Sequence, residues 1–235
     1  MMTGPQESEW PIRLHDGHVY MTIMGCQWIL DTGAPVSFGD TPWHPLDVSA
    51  PLPPRTELAN GGWSDARSVS KHLGVKVAGV IGCDFLNRHE VCIDLPKGVF
   101  KFLNGGIPQG HTHVLGFPAA LRGIPTIKAT IAGECGEYIF DTGAQLSYYV
   151  GDPPPGHTPT PDFPDFWPGV VNFVTPTFTV DVTFTNYAMP IKFGQPVDGL
   201  KATLLQANLK GIIGIDLIRQ SSCCYYPRRK LMVIE

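Results

Sequence analysis

Ile29-Leu30-Asp31-Thr32-Gly33-Ala34 and Ile139-Phe140-Asp141-Thr142-Gly143-Ala144 decide how this chain is read. In each, two bulky apolar residues lead straight into an Asp and a Thr-Gly-Ala turn, the pattern of a buried strand that ends by presenting one carboxylate. The match extends outwards. Gln27-Trp28 aligns with Glu137-Tyr138, and Pro35-Val36-Ser37-Phe38 with Gln145-Leu146-Ser147-Tyr148, at a constant offset of 110 residues (141 − 31). An internal repeat of this length means two related units, each supplying one carboxylate.

A second matched pair follows the first: Val80-Ile81-Gly82-Cys83-Asp84-Phe85-Leu86 and Ile212-Ile213-Gly214-Ile215-Asp216-Leu217-Ile218. With both pairs in hand, the chain resembles the aspartic proteases of the retropepsin-like and pepsin-like families, which carry an apolar-Asp-Thr-Gly-Ala turn followed by two apolar residues and Gly. Retropepsins usually carry one such unit and dimerise. This chain carries two, from about Val19 to Ile234, and so resembles a fused, single-chain retropepsin.

The resemblance implies an all-β, two-lobed fold with pseudo-two-fold symmetry and a cleft between the lobes. The expected lobes are residues 12–103 and 114–235, joined by a linker at 104–113 that opens with Asn104-Gly105-Gly106. Asp31 and Asp141 are the expected catalytic dyad, supported by Thr32, Gly33, Ala34, Thr142, Gly143 and Ala144, with the two threonines hydrogen-bonding across the interface. The implied activity is endopeptidase cleavage of extended peptides by a monomer, with no metal or cofactor. The competing expectation is a catalytically silent peptide-binding or scaffold domain of the same fold.

The chemistry needs the carboxylates as a pair. Two carboxyls about 3 Å apart cannot both ionise, so they share one proton: the ionised member activates a water while the protonated member polarises the scissile carbonyl. Ala34 and Ala144 stand where pepsin-like enzymes often place a hydroxyl. A carboxylate without that hydrogen bond is less favoured in its charged form, which predicts a weakly acidic optimum.

Composition sets the outer limits. Of 235 residues 43% are hydrophobic, and a formal net charge of −4 gives no basic surface for nucleic acid. The 26 Gly and 23 Pro favour short strands and turns over long helices. No apolar run approaches the ~20 residues of a membrane span, and the polar, acidic start Met1–Glu9 is unlike a secretory signal, so the expected location is cytoplasmic. The six cysteines form no C-x-x-C pair, and Cys26, Cys83 and Cys92 sit in apolar contexts, so they read as free, mostly buried thiols. Cys224 falls opposite Cys92 when the repeats are aligned.

Several local readings complete the map. Residues 1–11 are expected to be a loose leader, Pro42 to Pro54 a loop, and Ser68 to Ala78 a strand. Asn60-Gly61-Gly62-Trp63-Ser64 reads as a hairpin tip, making Gly61, Gly62 and Trp63 flap candidates, with a plain loop tryptophan as the alternative for Trp63. Asp84 and Asp216 read as helix caps. The Asp-to-Gly spacing is 22 residues longer in the second unit (132 − 110), and Trp167-Pro168-Gly169 reads as a second flap or an insertion. His111 and His113 have no neighbouring ligand cluster that would suggest a metal site.

Overall fold

The computed structural model describes residues 9–57, 63–167 and 171–235. The first half opens with β1 (Glu9–His15), β2 (His18–Ile23) and β3 (Cys26–Leu30), an antiparallel meander in which Val19 pairs with Leu30 and Ile12 with Met21. The β2–β3 turn is Met24-Gly25, with φ of 49° and 77°. Positive φ at both central residues is the two-residue hairpin turn whose twist matches the flanking strands. The second half repeats it at Ala132-Gly133, with φ of 49° and 85°.

From Leu30 the first half continues through β4 (Phe38–Gly39), β5 (Trp43–His44), β6 (Asp47–Pro51), β7 (Arg55–Glu57), β8 (Trp63–Asp65), α1 (Ala66–Leu73), β9 (Gly79–Ile81) and α2 (Cys83–Leu86). It ends in the hairpin of β10 (Val91–Asp94) and β11 (Val99–Phe102). The second half comprises β12 (His111–Gly116), β13 (Thr126–Ile131), β14 (Glu134–Phe140), β15 (Ser147–Tyr149), β16 (Thr158–Trp167), β17 (Val171–Phe184), β18 (Tyr187–Gly194), α3 (Asp198–Gln206), β19 (Gly211–Ile213), β20 (Ser222–Tyr226) and β21 (Leu231–Ile234). The architecture is all-β.

The two halves obey one pairing rule. β3 runs parallel to β9, with Ile29 opposite Val80 and Leu30 opposite Ile81, and β14 runs parallel to β19, with Ile139 opposite Ile212 and Phe140 opposite Ile213. Parallel strands covered on both faces need apolar residues throughout, which is why each apolar pair before Asp answers an apolar pair before Gly. The halves then join in one sheet of order β1-β11-β10-β20-β21-β12, made by the pairings β1–β11, β10–β11, β10–β20, β20–β21 and β12–β21. That order reads the same from either end under exchange of the halves. A single apolar cluster draws on both, from Ile12, Trp28 and Phe100 to Phe140, Phe193 and Ile234.

Where the spacing differs, the structure shows how. The helix begins 35 residues after the first Asp (66 − 31) and 57 after the second (198 − 141), so all 22 extra residues precede α3. The second half uses them to replace the short β5–β6 and β7–β8 hairpins with the long antiparallel set β16–β17–β18. The Trp167-Pro168-Gly169 reading falls at the β16–β17 turn, of which residues 168–170 lie outside the described residues.

Five readings are corrected. Residues 9–11 are not leader but part of β1, held by the Trp10–Phe100 and Pro11–Val99 register. The Pro42–Pro54 stretch contains β5 and β6, which pair only with each other, a short two-stranded element that tolerates proline. Ser68 to Ala78 is not a strand: Asp65 accepts the Ser68 N–H at 2.7 Å while Ser68 Oγ accepts the Asp65 N–H at 3.1 Å, a capping box that starts α1, and Gly74 at φ 64° ends it. The linker stops at 110, because His111–Gly116 is strand β12 on the edge of the shared sheet. Cys26, expected in a buried context, is exposed at the start of β3, beside the hairpin turn.

Candidate active site

Each Asp is delivered by the end of a strand whose last ladder bond fixes its backbone. The Asp31 N–H donates to the Ile81 carbonyl at 3.0 Å and the Asp141 N–H to the Ile213 carbonyl at 3.0 Å. The chain then turns so tightly that the carboxylate bonds to its own loop. Asp31 Oδ1 accepts the Gly33 and Ala34 N–H groups at 2.8 and 2.9 Å, and Asp141 Oδ1 accepts those of Gly143 and Ala144 at 2.8 and 3.2 Å. With Oδ1 so occupied on each side, the second oxygens are the ones free to act.

The two turns interlock. Thr32 Oγ1 donates to the Phe140 carbonyl at 2.7 Å and accepts the Thr142 N–H at 3.0 Å, while Thr142 Oγ1 donates to the Leu30 carbonyl at 2.9 Å and accepts the Thr32 N–H at 3.1 Å. Both threonines are fully buried. Every donor and acceptor in this four-bond lattice is satisfied across the halves, so the separation of Asp31 and Asp141 is set by hydrogen bonds rather than by loop packing. A Cβ on Gly33 would overlap the Asp141 carboxylate, and one on Gly143 would overlap that of Asp31. Only glycine lets the two turns approach this closely.

Electrostatics follow from that proximity. The carboxyls lie within hydrogen-bonding reach of each other, and both are held above the usual aspartate range. Burial is the first cause for each, and the neighbouring Asp141 charge pushes Asp31 further up. The opposing loop N–H bonds favour the ionised form without overcoming burial. Such a pair retains one proton to higher pH than a lone aspartate, and that proton belongs to the pair.

Asp84 and Asp216 are structural, as expected, but only Asp84 bonds to its own helix start, accepting the Phe85 N–H at 2.9 Å. Asp84 Oδ1 accepts the Ser37 hydroxyl at 2.6 Å and the Ser37 N–H at 2.8 Å, and Ser37 Oγ in turn accepts the Gly82 N–H at 2.9 Å. Asp84 therefore anchors the segment that follows the Asp31 turn onto the Gly82 segment. Ser147 makes the matching bond to the Gly214 N–H at 3.0 Å, but Asp216 pairs with Arg219 at 2.9 Å instead. The symmetry holds at Ser37 and Ser147 and breaks at Asp84 and Asp216.

Two features escaped the sequence reading. His18 is buried beside the Gly143 carbonyl and faces Asp165; burial lowers its pKa, while that carbonyl and Asp165 act in the other direction. Asp165, on β16, accepts the Tyr148 hydroxyl and the Gln145 side-chain amide, tying the long hairpin to the strand just after the second turn. Phe166 beside it stacks on His72 of α1, with ring centres 4.5 Å apart and planes at 7°. His18, His72, Gln145, Asp165 and Phe166 border a cavity of about 1020 Å³ that draws on both halves, with Leu73, Leu146, Phe163 and Phe173 also in its lining. The cavity lies alongside the second turn, and neither Asp31 nor Asp141 is in its lining.

The remaining site readings are placed as follows. Glu57 pairs with Trp63, so β7 and β8 form a hairpin whose tip, with Gly61 and Gly62, lies outside the described residues; of Trp63 only the backbone is described. Among the described residues no group of three or more His, Cys, Asp or Glu is arranged to hold a metal ion, and no helix is long and apolar enough to cross a membrane. Neither a scan against models of known protein families nor a search of curated proteins finds a match to this chain.

Proposed function

We propose that the chain is an aspartic endopeptidase with a two-lobed, retropepsin-like arrangement in which both halves of the site lie in one monomer. The observation that carries this reading is the reciprocal Thr32–Thr142 lattice, which presents two carboxyls at hydrogen-bonding reach with their Oδ1 atoms fixed by Gly33, Ala34, Gly143 and Ala144. An isolated Asp-Thr-Gly turn needs no partner. Two that build each other do.

In the proposed reaction the pair holds one proton. The ionised carboxylate takes a proton from water as that water attacks the scissile carbonyl, and the protonated partner donates to the carbonyl oxygen, giving a tetrahedral diol. As the C–N bond breaks, the ionised carboxylate takes one diol proton while the protonated carboxyl gives its own to the leaving amine, so the products are a carboxylic acid and an amine and the pair again holds one proton. The substrate is an extended peptide added as a strand between the halves. The long β16–β17 hairpin makes the cleft one-sided, and the cavity beside Leu146 and Phe163 offers an apolar subsite on that side.

The test is cleavage of a mixed peptide library by the wild-type chain and by Asp141→Asn across pH 3 to 8, read by mass spectrometry. Cleavage by wild type alone, strongest at weakly acidic pH, is the expected result. A folded wild type that binds peptides without cutting them would replace the enzyme with a peptide-binding domain, and a rate peaking below about pH 3 would overturn the role given to Ala34 and Ala144.

A further inference from the structure

The axis that relates the two halves passes through the β10–β20 ladder. Cys92 and Cys224 are repeat equivalents, 132 residues apart like Gly82 and Gly214, and they are also direct cross-strand partners, flanked by Val91–Tyr225 and Ile93–Cys223. In an interface between equivalent units, only a residue on the symmetry axis meets its own copy. The two sulfurs share a hydrogen bond at 3.0 Å and are both buried, in a small cluster with Tyr226 and Val233 that is separate from the main core.

We infer that Cys92 and Cys224 are a redox modification site, forming a reversible disulfide that locks the two halves together when the chain meets a low-molecular-weight disulfide such as oxidised glutathione. Directly opposed residues of an antiparallel pair have Cα atoms about 4.5–5.5 Å apart, inside the roughly 4.4–6.8 Å that a disulfide spans, so the bridge fits the paired strands. The small disulfide reaches the buried thiols during local opening of the Leu103 and Leu231 cover. Cys223 cannot substitute. It neighbours Cys224 along a strand whose side chains alternate faces, and it packs in the main core with Ile93 and Tyr225.

The chemistry is thiol–disulfide exchange in two steps. The Cys224 thiolate attacks the small disulfide, forming a mixed disulfide and releasing one small thiolate; the Cys92 thiolate then attacks the Cys224 sulfur and expels the second. Two protein thiols and one small disulfide become one bridge and two small thiols, with the cysteine protons carried off by the leaving thiolates. The Cys224 thiol donates to the Cys92 sulfur at 3.0 Å, and because the repeat makes the two sulfurs equivalent the same two steps run equally with their roles exchanged. Lys101, directly opposite Cys92 on β11, favours both thiolates.

The experiment equilibrates the wild-type chain with glutathione at set oxidised-to-reduced ratios, quenches and alkylates it, and maps linkages by fragment mass spectrometry. A Cys92–Cys224 bridge should form, about 2 Da lighter than the dithiol and reversed by dithiothreitol. Because it closes a loop of 132 residues, the oxidised chain should melt on the order of 10 °C above the reduced one. Cys92→Ser should lose the bridge and the shift together, while Cys26→Ser with Cys135→Ser should keep both. A folded wild type in which Cys92 and Cys224 stay alkylatable, or whose only products are glutathione adducts at Cys26 and Cys135 or a bridge to Cys223, would overturn the inference. None of these outcomes depends on peptidase activity.

Discussion

At the scale of single residues, the dyad works against the fold that carries it. Asp31 and Asp141 are each held above the 3.8 of a free aspartate, chiefly by burial. A carboxyl whose folded pKa is raised binds its proton more tightly in the native state, so its contribution to stability is fully present below pH 3.8 and is lost as pH rises towards the folded value. Asn has the same shape, accepts the same Gly33 and Ala34 N–H bonds through its oxygen, and adds a permanent donor towards Asp141. Asp31→Asn should therefore match wild-type stability near pH 3 and exceed it by about 1–2 kcal/mol at pH 7, a gain of the size seen when a strained functional group is relieved. Thermal melts of both proteins from pH 3 to 8 check this. An Asn variant less stable than wild type at pH 7 would mean that burial does not dominate the pair.

At the scale of elements, the turns behave as one unit because neither threonine has a partner within its own half. Thr32→Val keeps shape but leaves the Phe140 carbonyl and the Thr142 N–H buried and unpaired, at a cost of about 2–4 kcal/mol. Thr142→Val does the same to the Leu30 carbonyl and the Thr32 N–H. Each variant also loosens the turn that the other threonine needs, so the double variant should cost at least about 1 kcal/mol less than the two singles added. Denaturant unfolding of all four proteins measures that coupling, and strict additivity would mean two independent turns. The strands around these turns were legible because fully buried parallel strands leave continuous apolar runs, as at Ile29-Leu30 and Val80-Ile81. The helices were not. Val69 and Leu73 of α1 look like strand residues until the Asp65–Ser68 capping box is noticed, and α3 has no side-chain cap at Val197 to announce it. His18 was invisible for another reason: its neighbours Gly143 and Asp165 are more than a hundred residues away in sequence and are brought to it only by the pairing of the halves.

At the scale of the whole molecule, the two repeated halves share a sheet and an apolar cluster. β10 lends its edge to β20, and that ladder joins β1-β11-β10 of the first half to β20-β21-β12 of the second in the common sheet. Glu90 on the first half pairs with Arg229 on the second at 2.9 Å, and Asn87 both accepts the Tyr225 hydroxyl at 2.5 Å and donates to the Gly123 carbonyl at 2.8 Å. Cutting the chain in the segment between β11 and β12, at Gly105-Gly106, removes none of the ladder bonds. The two pieces, residues 1–105 and 106–235, should therefore fail to fold alone, each exposing the β10 or β20 edge and part of the shared core. Mixed, they should reassemble into a one-to-one complex with the circular dichroism spectrum of the intact chain, at a midpoint that rises with concentration because joining is now bimolecular. Gel filtration and melting of each piece and of the mixture decide it. A half that melts cooperatively by itself would show that its core closes without the partner, and the Thr32–Thr142 lattice would then be a contact between finished domains rather than part of how either one folds.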